Sequence, residues 1–253
     1  MISERAFAAS FAAFWSELLP LLTPSLVHML NEQSKSQLAD RFGLPLATVR
    51  RRTDERDQAV LAELAFDLAR LSTENNLTTV EAFKRDDLRS LAERSAFETI
   101  SRYERDVAVI LGELGDSQRE EALELAQNYD RFFSERRRGE SIHFRPPVPG
   151  CGFLSACRAD ISIGGALFEV KTVSRNIASK DIRQLVVYLA LQSATGESHW
   201  RTAGFFNPRR GIYHEFVVSD LVQRMSGGRS AAEVFQALVD YVGMRDVQID
   251  TPF

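Results

Sequence analysis

Residues 145–150 read Arg-Pro-Pro-Val-Pro-Gly, and this stretch limits the possible folds more than any other in the chain. Each proline fixes φ, removes an N–H donor and pushes the residue before it out of the helical region. The backbone must therefore leave any helix here and enter a turn or an extended path. Upstream, residues 1–140 are dominated by Ala, Leu, Glu and Arg, with little glycine before Gly112. Apolar positions recur there at helical spacing, in Leu61, Leu64, Ala65, Leu68 and Leu71, and again in Leu111, Leu114, Ala122, Leu123 and Leu125. Breaks fall at Pro20 and Pro24, at Gly43 and Pro45, in the polar stretch from Ser72, and at Gly115. Downstream the pattern predicts short strands over 151–157, 159–163 and 166–172, the last two joined by Gly164-Gly165 as a hairpin. A helix is expected over 179–192, with Ile182, Leu185, Val186 and Leu189 on one face. Strands over 200–206 and 212–218 follow, and helices near 220–225 and 231–242 close the chain. The expected class is α/β, with an all-α N-terminal region over 1–115 and a mixed domain over 116–253.

Length and charge exclude several alternatives. The chain has 253 residues, 44% of them hydrophobic and 26% charged, enough to bury a core and unlike a disordered composition. A net charge of −4 argues against a surface that coats nucleic acid throughout, while leaving room for a local basic groove. The 2 cysteines, Cys151 and Cys157, are too few for a disulfide framework or a four-thiolate site. No uncharged apolar run reaches the ~20 residues that span a bilayer. The apolar N-terminus is interrupted by Glu4, Arg5 and Glu17 and has no basic leader pattern, so a cytoplasmic protein without a membrane partner is expected.

The stretch with the clearest chemical meaning is 158–172. It carries Asp160, the Gly164-Gly165 turn, and Glu169-Val170-Lys171. On a strand, residues i and i+2 share a face, so Glu169 and Lys171 point together and away from Phe168 and Val170. A hairpin closing at Gly164-Gly165 puts Ile163 beside Ala166 and Asp160 beside Glu169. Two adjacent carboxylates repel each other and attract a hard cation, Mg²⁺ or Mn²⁺, with Asp160, Glu169 and the Val170 carbonyl as ligands. Lys171 is then placed to orient or deprotonate a water, or to neutralise charge on a phosphorus centre.

This constellation resembles the PD-(D/E)xK nuclease superfamily, with Asp160 standing for its aspartate and Glu169-Val170-Lys171 for its (D/E)xK. Gln184-Leu185-Val186-Val187-Tyr188 on the following helix is similar to the Gln-x-x-x-Tyr of the RecB-like branch. The resemblance covers residues 117–220. It implies a restriction-endonuclease-like αβββαβ core, with a mixed sheet flanked by helices, and Gln184 and Tyr188 facing the site. The activity it implies is metal-dependent hydrolysis of DNA, RNA not being excluded, in phage defence, restriction or repair. A homo-oligomer or a helicase or ATPase partner fits such a role. The superfamily's further acidic residue on the helix before the first strand has four candidates here, Glu120, Glu121, Glu124 and Asp130.

Residues 37–52 suggest a helix-turn-helix, with Gly43 at the turn and Thr48 and Arg50 to Arg52 on a second helix; a helical hairpin with a basic solvated end is the alternative. A non-cleaving DNA-binding or regulatory module built on that motif is the rival function, and a structural or assembly subunit a third. Arg175, Lys180 and Arg183 lie just beyond the catalytic strand, where a nucleic-acid backbone would pass. Arg136 to Arg138 and Arg209-Arg210 read equally as phosphate contacts or solvated loops, and His143, His199 and His214 have no ligand spacing.

Overall fold

The computed structural model describes residues 1–103, 114–196 and 200–244, the side chains of Arg56, Arg102 and Tyr103 excepted. Leu111 and His199 fall outside these ranges. The chain opens with helices α1 (Glu4–Ala9), α2 (Ala12–Leu18) and α3 (Pro24–Gln33), then strand β1 (Lys35–Gln37) and a 3-10 turn at Glu55–Asp57. Helices α4 (Gln58–Glu74), α5 (Thr79–Lys84), α6 (Asp86–Tyr103) and α7 (Asp116–Arg136) follow. Strands β2 (Ile142–Phe144), β3 (Pro147–Val148), β4 (Cys157–Arg158), β5 (Ile161–Ile163) and β6 (Ala166–Val170) lead into α8 (Ser179–Ser193). The last elements are β7 (Thr202–Asn207), β8 (Ile212–Val217), α9 (Val218–Ser226) and α10 (Ala231–Gly243).

A mixed six-stranded sheet runs in the order β1-β8-β7-β6-β5-β2, and β3 and β4 form a separate pair. Only β6 and β7 pair in parallel; the other neighbours in the large sheet are antiparallel. A parallel pair needs a long crossover, and α8 supplies it. Because β6 and β7 are central, both of their faces must be covered. One face carries α8, with Leu185, Val186 and Leu189 packed among residues of α1, α2, α9 and α10. The other face carries α4, α6 and α7, where Phe132 stacks on Phe206 at 4.2 Å and meets Phe168 edge-on at 5.1 Å. Residues from both sides of position 115 contribute to each of these two clusters.

Three local expectations are corrected. Residues 37–52 are not a helix-turn-helix: Gln37 ends β1, and no helix forms between it and Glu55. Asp40 Oδ1 accepts from the amides of Phe42 and Leu44, Gly43 takes φ +79°, and Ala39 bridges Pro45, so the segment is a tight hairpin. Glycine and proline three and five residues after an Asx turn favour this path over a second helix. The N-terminal region is not all-α, because β1 is an edge strand of the main sheet, pairing with β8. Finally, 151–156 is a turn-rich loop in which Gly152 takes φ +54°, with only Cys157 entering a strand, β4, and the additional strand is β2, paired with β5. β2 is three residues long and escapes a pattern search. Among the described residues, no helix is long and apolar enough to cross a membrane.

Candidate active site

The hairpin forms in the register expected from Gly164-Gly165. Ile163 pairs with Ala166 and Ile161 with Phe168, which brings Asp160 opposite Glu169. Gly164 takes φ +53°, which a type II′ turn requires at its first loop position. Leu167 belongs to the apolar cluster on the α8 side and Phe168 to the opposite one, so Glu169 and Lys171 project towards α8. Glu169 is fully buried, and its Oε1 accepts from Lys171 Nζ at 2.9 Å. Its Oε2 is buried without a hydrogen-bond partner. Asp160 Oδ2 accepts from the Val170 amide at 2.7 Å. In a strand the N–H and C=O of one residue point to the same side, so the Val170 carbonyl turns towards Asp160 as well.

Helix α8 completes this side of the site. Gln184 and Tyr188 are buried and lie one turn apart. Gln184 Oε1 accepts from Lys171 Nζ at 2.8 Å, and its Nε2 donates to the Tyr188 hydroxyl at 2.7 Å. Asp181, also buried, lies 3.9 Å from Lys171 Nζ. Burial would raise the Asp181 carboxyl, but hydrogen bonds from Arg175 and the Ala178 amide outweigh it and hold it below its ordinary value. Arg175 binds both oxygens of Asp181, and Arg183 lies over the Trp15 ring at 5.6 Å. Lys180 is exposed. Of the three basic residues expected to meet nucleic acid, Arg175 and Lys180 are exposed, Arg175 while paired with Asp181, and Arg183 is half-buried against Trp15.

Glu4, which sequence reasoning passed over, also reaches the site. Its Oε1 accepts from the Tyr188 hydroxyl at 3.3 Å and from Gln184 Nε2 at 3.4 Å. Ser3 caps α1, with its side chain accepting from the Ala6 amide, and Phe7 and Ala8 bury the same helix face as Glu4. A carboxylate on the apolar face of an amphipathic helix was the available signal. Arg5 stands beside Glu4, at 3.8 Å; burial works against its charge, but Glu169 and Asp160 outweigh it and favour the cationic form. The four upstream candidates lie elsewhere. Glu121 pairs with Arg209, Glu120 and Glu124 pair with Arg52, and Asp130 accepts from Thr79.

Burial, and then the neighbouring Glu169, drive the Asp160 carboxyl well above its ordinary range. Burial does the same to the Tyr188 hydroxyl, so Tyr188 acts as a neutral donor. The donor set suits a hard cation: two carboxylates, one with an orphaned buried oxygen, beside a strand carbonyl. No group of three or more His, Cys, Asp or Glu side chains is placed to hold a metal among the described residues. His214 is buried with its Nδ1 3.0 Å from Ser34 Oγ, and burial lowers it to about 4. His143 meets Ser141. The Cys157 thiol is pushed up to about 12 by burial, which removes it as a nucleophile.

Compared with family models, curated proteins and solved structures, the chain matches none of them.

Proposed function

We propose that this protein is a metal-dependent nuclease that hydrolyses phosphodiester bonds of DNA with Mg²⁺, or Mn²⁺, and that it serves in phage defence, restriction or repair. The observation that carries the reading is the buried, partnerless Oε2 of Glu169 on the strand position opposite Asp160, with Lys171 bridging Glu169 to Gln184. The element order α7-β2-β5-β6-α8-β7, with an antiparallel meander followed by a parallel strand, is what a restriction-endonuclease-like core requires, and it supports the same reading.

Asp160, Glu169 and the Val170 carbonyl would hold the ion. When bound, it supplies Lewis-acid chemistry at the phosphodiester. The ammonium of Lys171 directs two of its three donors to Glu169 and Gln184. The third is available to orient the attacking water or to meet a phosphate oxygen as negative charge develops. Gln184, held by Tyr188 and Glu4, fixes where that ammonium sits. The rival non-cleaving module loses its main support, because residues 37–52 contain no helix-turn-helix.

The test is cleavage of linear and plasmid DNA, single- and double-stranded, and of RNA, with Mg²⁺, Mn²⁺ or EDTA. Cleavage is expected with metal only, and Lys171→Ala should lower kcat by about 10²–10³-fold while the protein stays folded. DNA binding without metal-dependent cleavage of any substrate would overturn the assignment.

A further inference from the structure

The hairpin at residues 40–46 stands at the catalytic end of the sheet. Gln37 pairs with Ile212, Ile212 with Asn207, and the Lys171 amide donates to the Phe206 carbonyl. The chain therefore leaves β1, three strands from β6, at the end of the sheet where Glu169 and Lys171 lie. Its tip presents Phe42 and Leu44, 72% and 62% exposed, two large apolar side chains only two residues apart. Isolated exposed apolar residues are ordinary, but a close pair on a rigid tip is not.

The tip is rigid because its base is pinned. Leu38 donates to the Gly211 carbonyl at 2.8 Å, Leu46 to Leu38 at 2.9 Å and Val49 to Arg209 at 2.7 Å. Gln37 Nε2 donates to the Leu46 carbonyl at 3.1 Å and to that of Gly211 at 3.0 Å. The hairpin carries one carboxylate, Asp40, taken up by the Phe42 and Leu44 amides, and one cation, Arg41. The Arg41 guanidinium lies 4.7 Å from the Phe42 ring centre, and exposed Arg50 and Arg51 make no ion pair among the described residues. An exposed ring with an arginine against it and an aliphatic side chain two residues on suit a nucleic-acid base and its phosphate, since bases stack on exposed rings while an arginine holds the backbone.

We propose that the 40–46 hairpin is a base-stacking wedge, so that the substrate is DNA with unpaired nucleotides beside the cleavage position, such as an overhang, flap or frayed end. The word substrate rests on the nuclease reading above; the wedge itself is a binding element. Preorganisation by the pinned base removes the ordering cost of gripping a flexible strand.

The experiment is titration of the full chain, in EDTA, into a single-stranded oligonucleotide carrying 2-aminopurine, with a blunt duplex of equal length as comparison. The wild-type protein should bind the single strand more tightly than the duplex and quench 2-aminopurine. Phe42→Ala should weaken single-strand binding about tenfold and abolish the quench, and Phe42→Trp should restore both. Phe42 is exposed, so the variants should fold. The wedge is overturned if Phe42→Ala binds and quenches as wild type does, if single strand and duplex bind equally, or if no DNA binds. It is also overturned if Phe42→Ala alters only the oligomeric state in sedimentation, which would make the tip a protein contact. Cleavage is not read in this experiment, so a protein that fails to cut DNA yet passes here loses the nuclease reading and keeps the wedge.

Discussion

Glu121 and Glu169 are both fully buried carboxylates with a cation beside them, at the same end of the sheet and on opposite faces. Their surroundings differ in one respect. Both oxygens of Glu121 are occupied: Oε1 accepts from Arg209 at 2.8 Å and Gln58 at 3.2 Å, and Oε2 from the Arg52 amide at 2.7 Å. Burial alone would raise its carboxyl, yet these hydrogen bonds hold it below its ordinary value. Glu169 has a partner on one oxygen and none on the other, and it faces a second carboxylate. One face of the sheet uses a buried ion pair to close the structure, fastening the basic segment near Arg52 and the β7–β8 turn to α7. The other leaves one buried carboxylate oxygen without a partner, beside a second carboxyl group on the α8 side. Closed electrostatics belong to the scaffold, and the open pair is where a ligand ion gains most.

The same substitution on each side is the sharpest way to break this contrast. Glu121→Gln leaves Arg209, which is 0% exposed, without its counter-charge and should cost about 3–5 kcal/mol in urea denaturation. Glu169→Gln removes one partner of Lys171 but relieves the repulsion that raises Asp160 and leaves Asp181 near the ammonium, so it should cost less than Glu121→Gln in the metal-free protein. Equal losses at the two positions would abolish the distinction.

A second measurement asks how dry the region behind Lys171 is. His214 lines a narrow, partly open pocket there with Lys171, Arg210 and Asn207. Its folded value of about 4 lies below the ordinary 6.5, so folding favours the neutral ring. The associated stability is complete above pH 6.5 and is lost as pH falls towards 4, by up to about 3 kcal/mol. Thermal melts of wild type against His214→Gln should converge in slope above pH 6.5 and diverge below it. A slope identical in the two proteins would mean that water reaches His214.

Metal should act on the open side alone. Mn²⁺ at about 100 times its Kd should stabilise the wild type by about 2.7 kcal/mol, and Asp160→Asn should remove that gain in differential scanning fluorimetry. Stabilisation that survives in Asp160→Asn would move the ion elsewhere. The smallest effect belongs to the outer rim of the closed side. Arg52→Ala removes part-exposed pairs with Glu120 and Glu124 but keeps the backbone amide on Glu121, and should cost about 1 kcal/mol or less by denaturant midpoint.

Much of this contrast was already written in local sequence. The prolines at 146, 147 and 149, the Gly164-Gly165 turn and the two-residue period of Glu169 and Lys171 act through neighbouring backbone, so they fixed the hairpin, its register and the carboxylate pair before any packing was considered. The helical spacing of Gln184 and Tyr188 likewise put both on one face of α8. Tertiary structure decided everything that depended on distance in the chain. Glu4 lies 180 residues from Gln184, and only the packing of α1 on α8 joins them. Glu121 is one of four candidate site acids in the sequence, and Arg209, 88 residues away, claims it. The segment at 37–52 looked helical in isolation, but pairing of β1 with β8 gave its backbone better partners and turned it into a hairpin. Local hydrogen bonds and side-chain period can be read from neighbours, whereas which charges end up sharing a buried space is settled only when the whole chain competes for them.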